Sequence, residues 1–221
     1  MKMFTFWRSL ASFRVRIALN LKNLLVEYVF VDIDANGQRQ DSYRDVNPQM
    51  VLPALIDGEG AALFQSIAIL EYLDETHPQP PLLPADPRGR ARVRGIAMMI
   101  ACDAHPLLTP RVRQYLGNEL KVDDSRRLAW SRHWTSETLK ALEARLSSDK
   151  ETGAFCHGDA PTMADICLAG HVAGAAMMQL DLAPYPTVKR IVTTAMAIPA
   201  FAKAHPLAQP DTPEAMRPKP A

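Results

Sequence analysis

Cysteine is scarce in this chain, and its few copies follow no recognisable pattern. The 221 residues include three cysteines, Cys102, Cys156 and Cys167, which form no CxxC pair and no even set. A disulfide framework or a cysteine-based zinc site therefore has little support, and we expect no metal. A reducing, cytoplasmic location fits this composition best.

Charge of one sign and long apolar runs are also missing. Lys and Arg together number 25 against 24 Asp and Glu, which leaves a net charge of +1. This balance gives no electrostatic basis for binding nucleic acid or an anionic membrane surface. No stretch approaches the ~18 apolar residues of a membrane span, and the N-terminus lacks the apolar core of a signal peptide. We expect no nucleic-acid or membrane partner.

Strand and helix patterns alternate over the first 76 residues. Residues 2–6 and 26–31 are rich in β-branched and aromatic side chains and predict strands, with a helix from Ser12 to about Asn23 between them. The rest predicts a helix within 38–46, a hairpin over 52–64 and a helix over 66–76. The order β-α-β-α-β-β-α predicts a compact α/β domain over residues 1–80.

A proline-rich stretch, HPQPPLLPADPRG, follows this domain and predicts an extended connection. Nearly everything beyond it has helical periodicity, so we expect an all-helical domain over 88–206. The first predicted helix covers 87–104 and is interrupted at Pro106, after which helix continues to about 117. The others cover 123–147, 162–180, 185–195 and 199–204. The chain from His205, and with it the proline-rich tail 207–221, is predicted to be extended or mobile.

The stretch FWRSLASFRVRIAL contains the first candidate site. A helix that starts near Ser12 leaves unpaired backbone N–H groups and a positive dipole end, which together stabilise an anion. Ser9 and Arg8, in the loop ahead of the helix, add a hydroxyl and a full charge. The alternative is that Ser12 only caps the helix and that Arg14 and Arg16 are solvated.

Two further segments of the first domain favour the same kind of ligand. A cis Pro53 in NPQMVLPAL would leave the backbone N–H and C=O of Leu52 free to pair with an extended peptide, whereas a trans edge proline fits the spacing equally well. Ser66, preceded by Gln65, predicts an N-cap and a second anion site. Together these features suit a small ligand with a peptide backbone and separated negative charges.

Two motifs of the helical domain carry less chemistry. Thr162 and Asp165 have the spacing of a capping box, which we interpret as structural. In ACDAHPL, His105 precedes a proline and Arg111 follows. His105 is either a general acid or base, or a partner for carbonyls that the proline frees, and no cluster of metal ligands surrounds it.

Many segments, in order, resemble the zeta class of glutathione transferases, and within it the bacterial maleylacetoacetate and maleylpyruvate isomerases. They are FWRSLASFRVRIALNLK, NPQMVLPALID, QSIAILEYLDE, LLPADPRGRARVR, ACDAHPL, GDAPTMADICL, DLAPYPTVKRI and AHPLAQPD. The resemblance implies an α/β thioredoxin-like N-terminal domain that binds glutathione, an all-α helical-bundle C-terminal domain that forms the acceptor-substrate pocket, and a homodimer. It also implies a glutathione-dependent cis–trans isomerase in the catabolism of aromatic compounds.

The resemblance assigns roles to the candidate residues. Ser9 corresponds to the serine whose hydroxyl stabilises the glutathione thiolate, with Arg8 beside it. Leu52 pairs its backbone with the cysteinyl unit next to cis Pro53, and Gln65 and Ser66 hold the γ-glutamyl end. Ala11 contributes a backbone N–H. The substrate's carboxylates would be bound by Arg8, His105 and Arg111.

The chain also departs from the family's pattern. Leu10 and Ala11 stand where relatives carry polar side chains, and Ala176, Met177 and Met178 stand where close relatives carry paired arginines. A more apolar acceptor pocket makes a transferase or dehalogenase acting on apolar electrophiles the alternative function. Core packing is the other interpretation of Met98, Met99, Met177 and Met178. A third hypothesis is a non-catalytic interaction module with this fold.

Overall fold

The structure is a computed structural model that describes residues 1–217. The last four residues of the predicted tail, 218–221, lie outside the described part. The chain divides into two units. Residues 1–82 and the segment from Ala197 form the first unit, and residues 83–196 form the second.

Four strands form a mixed sheet in the first unit. They are β1 (Lys2–Thr5), β2 (Glu27–Phe30), β3 (Ala54–Ile56) and β4 (Leu63–Phe64). The strand order is β2-β1-β3-β4, in which β1 runs parallel to β2 and antiparallel to β3, and β3 runs antiparallel to β4. The predicted strands and the hairpin are confirmed.

Ten α-helices are described within residues 1–217. In chain order they are α1 (Leu10–Leu21), α2 (Asp41–Arg44), α3 (Ser66–Thr76), α4 (Pro87–Met98), α5 (His105–Leu108), α6 (Pro110–Asn118), α7 (Asp124–Ser148), α8 (Met163–Met177), α9 (Pro186–Met196) and α10 (Pro199–Ala204). Helices α4 to α9 make up the second unit. The predicted fold class, a thioredoxin-like domain followed by a helical bundle, is confirmed.

Both predicted helix caps of the first unit are displaced along the chain. Helix α1 begins at Leu10, and its N-cap is Ser9, whose Oγ accepts a hydrogen bond from the Ser12 N–H at 3.2 Å. The prediction of Ser12 as the cap is wrong because Ser9, three residues earlier, already fills that role. Ser66 is likewise the first residue of α3, and Gln65 occupies the cap position.

Pro106 does not interrupt the helical path as predicted. Met99–Ala104 form a π-helix that runs into α5, and the His105 N–H donates to the Ile100 carbonyl five residues back. The wider π turn accommodates a residue that has no N–H of its own. The capping box of Thr162 and Asp165 is confirmed, and Asp165 also accepts the Cys156 N–H at 2.7 Å.

The C-terminal segment is folded where we expected an extended or mobile chain. Helix α10 packs on α1 within the first unit, and Asn20 Nδ2 donates to the Ala200 carbonyl at 3.0 Å. Beyond it, Thr212 Oγ1 donates to the Pro206 carbonyl at 2.7 Å, and short 3₁₀ turns cover 206–208 and 214–216. The segment is ordered because it pairs its polar groups with this unit, which its proline content did not reveal.

Arg14 and Arg16, on α1, are buried rather than solvated, with 2% and 1% of their surfaces exposed. The Arg16 guanidinium donates to the carbonyls of Phe6, Trp7 and Ala204 and to Thr5 Oγ1, at 2.9–3.3 Å. Burial lowers its pKa to about 10, against the opposing charges of Tyr28 and Asp211. Arg16 thus ties the end of β1 to α10.

No helix within the described residues is long and apolar enough to span a membrane.

Replacing Arg16 with methionine removes the donor from three carbonyls of buried residues. Each orphaned group costs about 1–3 kcal/mol, so we expect Arg16→Met to lower the free energy of unfolding by about 3 kcal/mol or more. Urea denaturation followed by circular dichroism measures this change. Arg44→Met is the matched control, because Arg44 is exposed and forms a surface ion pair with Asp41, and should stay within about 0.5 kcal/mol of the parent. Equal losses in the two variants would contradict the role of Arg16.

Candidate functional site

The sheet register brings three predicted segments to one edge. Phe4 on β1 pairs with Ala54 on β3, which pairs in turn with Phe64 on β4. The chain leaves β1, enters β3 and leaves β4 at this same edge, because both neighbouring pairs are antiparallel. Residues 6–9, 52–53 and 65–66 therefore lie together.

Ser9 sits between the sheet edge and the start of α1. It is half-buried, and its N–H donates to the Phe6 carbonyl at 3.0 Å, which closes the turn between strand and helix. Its hydroxyl oxygen accepts from Ser12, which leaves the O–H proton available for an external acceptor. Within residues 1–217 the N–H groups of Leu10 and Ala11 make no hydrogen bond. The combination is a donor set suited to an anion.

Arg8 precedes Ser9 on the exposed side of the same turn. Its guanidinium forms an ion pair with Asp34 and lies 5.8 Å from the centre of the Phe6 ring. About half of each charged side chain is exposed, and exposed pairs of this kind contribute only about 0–1 kcal/mol. Arg8 can therefore exchange Asp34 for another carboxylate at little cost.

The Leu52–Pro53 peptide bond is cis. Val51, just before it, is held by two side chains, since its carbonyl accepts from Tyr43 Oη at 2.7 Å and from Asn47 Nδ2 at 2.8 Å. The backbone N–H and C=O of Leu52 make no hydrogen bond within the described residues. A free donor and acceptor on one residue match the pairing needs of an extended peptide.

The start of α3 completes this edge. Gln65 adopts φ = 68°, ψ = 116°, a conformation with positive φ that non-glycine residues rarely take. Its side chain donates to Gln49 Oε1 at 2.9 Å. Backbone strain of this kind is concentrated at binding and catalytic sites.

Arg14 is a site residue that the sequence analysis missed. From the buried face of α1 its Nη1 donates to Ser66 Oγ at 3.2 Å, so a guanidinium lies next to the start of α3. The signal was present in the sequence as an arginine on an otherwise apolar helix face. Only the packing of α1 against α3 identifies what it contacts.

His105 and Arg111 belong to the second unit. His105 is the first residue of α5 and is half-buried, whereas Arg111 is exposed at the second position of α6. The Arg111 side chain has no ion pair or hydrogen bond within residues 1–217. It is therefore available to an anionic ligand.

The methionines considered for core packing are not core residues. Met98 is 43% exposed and Met177 is 45% exposed, while Met99 and Met178 are partly buried. Arg132 on α7 donates through Nε to the Met178 carbonyl at 2.9 Å. This bond brings a guanidinium to the segment where the sequence lacks arginine.

Two family models match the chain. The glutathione S-transferase N-terminal domain matches residues 1–75, and the C-terminal domain matches residues 136–197. The maleylpyruvate isomerase of Ralstonia sp. is 42% identical over 96% of this chain and all of its own length. The maleylacetoacetate isomerase of Pseudomonas aeruginosa is 42% identical over 97% of this chain and all of its own length.

Solved structures agree with these matches. The maleylacetoacetate isomerase of Methylobacterium extorquens AM1, crystallised with malonate and glutathione, has a TM-score of 0.95 and 49% identity, and covers 96% of this chain and all of its own. A maleylpyruvate isomerase described as a zeta-class bacterial glutathione S-transferase has a TM-score of 0.93 and 41% identity, with the same coverage. This chain belongs to the zeta-class glutathione S-transferase family.

The structure shows where the positions that depart from the zeta-class pattern lie. At the start of α1, Leu10 and Ala11 supply backbone N–H groups but no polar side chain. In the second unit, exposed Met177 ends α8 where the sequence lacks the paired arginines. Of the two serines at the start of α1, Ser9 is therefore the one whose hydroxyl can reach outward, since Ser12 is buried.

Proposed function

We propose that this chain is a glutathione-dependent isomerase that converts cis maleylpyruvate or maleylacetoacetate to the trans isomer. The proposal is supported mainly by one observation: Ser9, Leu52 and the start of α3 lie together at one edge of the sheet in a zeta-class fold. Structures of this fold that are named maleylacetoacetate isomerases were crystallised with glutathione bound.

The residues at this edge fit glutathione, a tripeptide with two carboxylates and a thiol. Leu52 offers a free backbone N–H and C=O to the cysteinyl unit next to Pro53. Gln65 and Ser66, at the N-terminus of an 11-residue helix, hold the charged γ-glutamyl end. Arg14 adds a cation behind Ser66.

When bound, glutathione supplies a thiolate that adds to the cis double bond, allows rotation, and leaves again as the trans isomer forms. Ser9 holds the negative charge on sulfur by donating its O–H, and the amides at the start of α1, including that of Ala11, add the helix dipole. Lowering a thiol pKa by two units requires about 2.7 kcal/mol. A dipole contribution of about 0.3–2 kcal/mol and a charged hydrogen bond of about 1.5–3 kcal/mol provide it.

The two carboxylates of the substrate need cations in the acceptor pocket. Arg8 and Arg111 are our candidates because both are exposed and a guanidinium binds a carboxylate with two parallel hydrogen bonds. His105 is a third candidate, as a donor to a carboxylate or an enol oxygen. Arg8, adjacent to Ser9, also adds positive potential near the thiolate.

A transferase acting on apolar electrophiles is the second candidate function. The exposed thioethers of Met98 and Met177 favour it, because methionine adapts to varied apolar shapes. Maleylpyruvate and an aromatic chloride, assayed in parallel with added glutathione, separate the two functions. Turnover of maleylpyruvate supports the isomerase, and turnover of the chloride alone would replace it with the transferase.

Ser9→Ala tests how the thiolate is stabilised. Without the hydroxyl we expect the pKa of the bound thiol to rise by about one unit or more, since a hydrogen bond to a charged group contributes about 1.5–3 kcal/mol. The acidic limb of the kcat/KM profile then moves to higher pH, and turnover near neutral pH falls. A profile that stays in place would refute the assigned role. Ser42→Ala, an exposed serine of α2, is the control.

Arg14→Met tests the recognition of the γ-glutamyl end. Loss of the charged bond to Ser66, about 1.5–3 kcal/mol, predicts glutathione binding weaker by about tenfold or more in calorimetry. The same change in a Ser66→Ala background should have little further effect, because the two residues act as a pair. Equal losses in both backgrounds contradict this coupling.

We also propose that the chain acts as a cytoplasmic homodimer, as in the sequence-based expectation. Phe64 on β4 is 56% exposed, and an apolar ring at a sheet edge supports burial against a second copy. Phe64→Asp should shift the protein toward the mass of one chain in size-exclusion chromatography with light scattering. A single-chain mass for the unaltered protein would contradict the dimer. In the cytoplasm, its three free thiols stay reduced.

A further inference from the structure

The C-terminal segment reaches the turn that carries Ser9. Asp211 Oδ2 accepts a hydrogen bond from the Trp7 backbone N–H at 2.7 Å, across 204 positions of sequence. Leu207, from the same segment, packs against the apolar cluster that contains Phe6, Trp7 and Leu52. The segment therefore bonds to the first of the three chain stretches at the candidate site's edge and packs on the apolar cluster that includes a residue of the second.

The backbone N–H and C=O of Trp7 both form hydrogen bonds with side chains from outside the turn. Asp211 accepts from its N–H, and Arg16 Nη2 donates to its carbonyl at 3.1 Å. Ser9 follows two residues later and is joined to the same turn by its N–H bond to the Phe6 carbonyl. The direction of the Ser9 hydroxyl thus depends on a turn that is fixed from two sides.

The surroundings of the Asp211 carboxylate agree with this role. Its second oxygen, Oδ1, is buried and has no hydrogen-bond partner within residues 1–217. Another polar side chain of the segment bonds within it, since Gln209 Nε2 donates to the carbonyls of Lys203 and His205. The Asp211 carboxylate thus contributes the bond to Trp7 beside its charge, which raises the pKa of the buried Arg16 guanidinium against the effect of burial.

We infer that Asp211 is a positioning residue: it fixes the turn between β1 and α1, and through it the Ser9 hydroxyl, for stabilisation of the glutathione thiolate. The inference rests on the proposed function. The sequence analysis assigned no role to the AHPLAQPD motif. The inference assigns its last residue, Asp211, a role in positioning Ser9.

Three substitutions separate positioning from a simple effect of charge. Asp211→Ala removes both the acceptor and the charge. Asp211→Asn keeps an acceptor of the same length and removes the charge, whereas Asp211→Glu keeps the charge and displaces the acceptor. Each variant is titrated with bound glutathione, and the ultraviolet absorbance of the thiolate reports the thiol pKa.

Positioning predicts an order that charge alone cannot produce. We expect the thiol pKa to rise in Asp211→Ala by about half a unit or more, to rise less in Asp211→Glu, and to stay near the parent value in Asp211→Asn. Turnover should fall about tenfold or more in Asp211→Ala, since small misplacements of a catalytic group are costly. If Asp211 acted only through its charge, Asn and Ala would lower the thiol pKa equally and Glu would leave it unchanged.

Glu214→Gln is the control, since Glu214 is an exposed acid of the same segment, and it should behave like the parent. Thermal denaturation identifies a variant that does not fold. If Asp211→Ala is such a variant, the comparison of Asn with Glu decides.

The failures of the two proposals are distinguishable. A parent protein whose bound glutathione titrates like free glutathione contradicts the proposed function. If the parent lowers the thiol pKa but the Asp211 variants match the parent, only the inference about Asp211 is overturned. The same holds if the variants follow the order expected for charge.

Discussion

The buried guanidinium of Arg16 is the interaction on which the first unit depends. It binds the last residue of β1, two carbonyls of the following turn and the end of α10. A buried cation is tolerated only when its donors are satisfied, so these four acceptors must come together for the unit to fold. The turn that leads to Ser9 is thus held by the same bonds that hold the fold.

The site itself consists mainly of backbone groups. Two helix starts, at Leu10 and Ser66, and the free polar groups of Leu52 face one edge of a small sheet. Few side chains are needed beyond Ser9, because aligned amides already provide a positive potential. Leu10 and Ala11, which stand where relatives have polar residues, are therefore compatible with the proposed anion site.

The helical patterns of the second unit were predicted closely, apart from the interruption expected at Pro106, where a π-helix runs into α5. The other errors lie in the first unit. Ser9 and Ser12 both satisfy the residue preferences of an N-cap. Only the turn that follows β1 shows that Ser9 is the residue that caps α1. Solvated Arg14 and Arg16 were one of the two alternatives left open, because arginine is usually exposed. Their burial depends on partners in α3, the turn and α10, which are distant in the chain.

The sequence by itself determined the order of the elements, the α/β and all-helical character of the two domains, and the identities of Ser9, Leu52, Gln65 and Ser66 as candidates. These follow from local periodicity, cap chemistry and motif spacing, which nearby residues fix. Only the tertiary structure decided that the proline-rich segment from His205 folds back to Trp7, and that Arg14 lies behind Ser66. The first depends on a hydrogen bond between residues that are 204 positions apart in the sequence, and the second on one between residues that are 52 positions apart. No local pattern encodes such bonds.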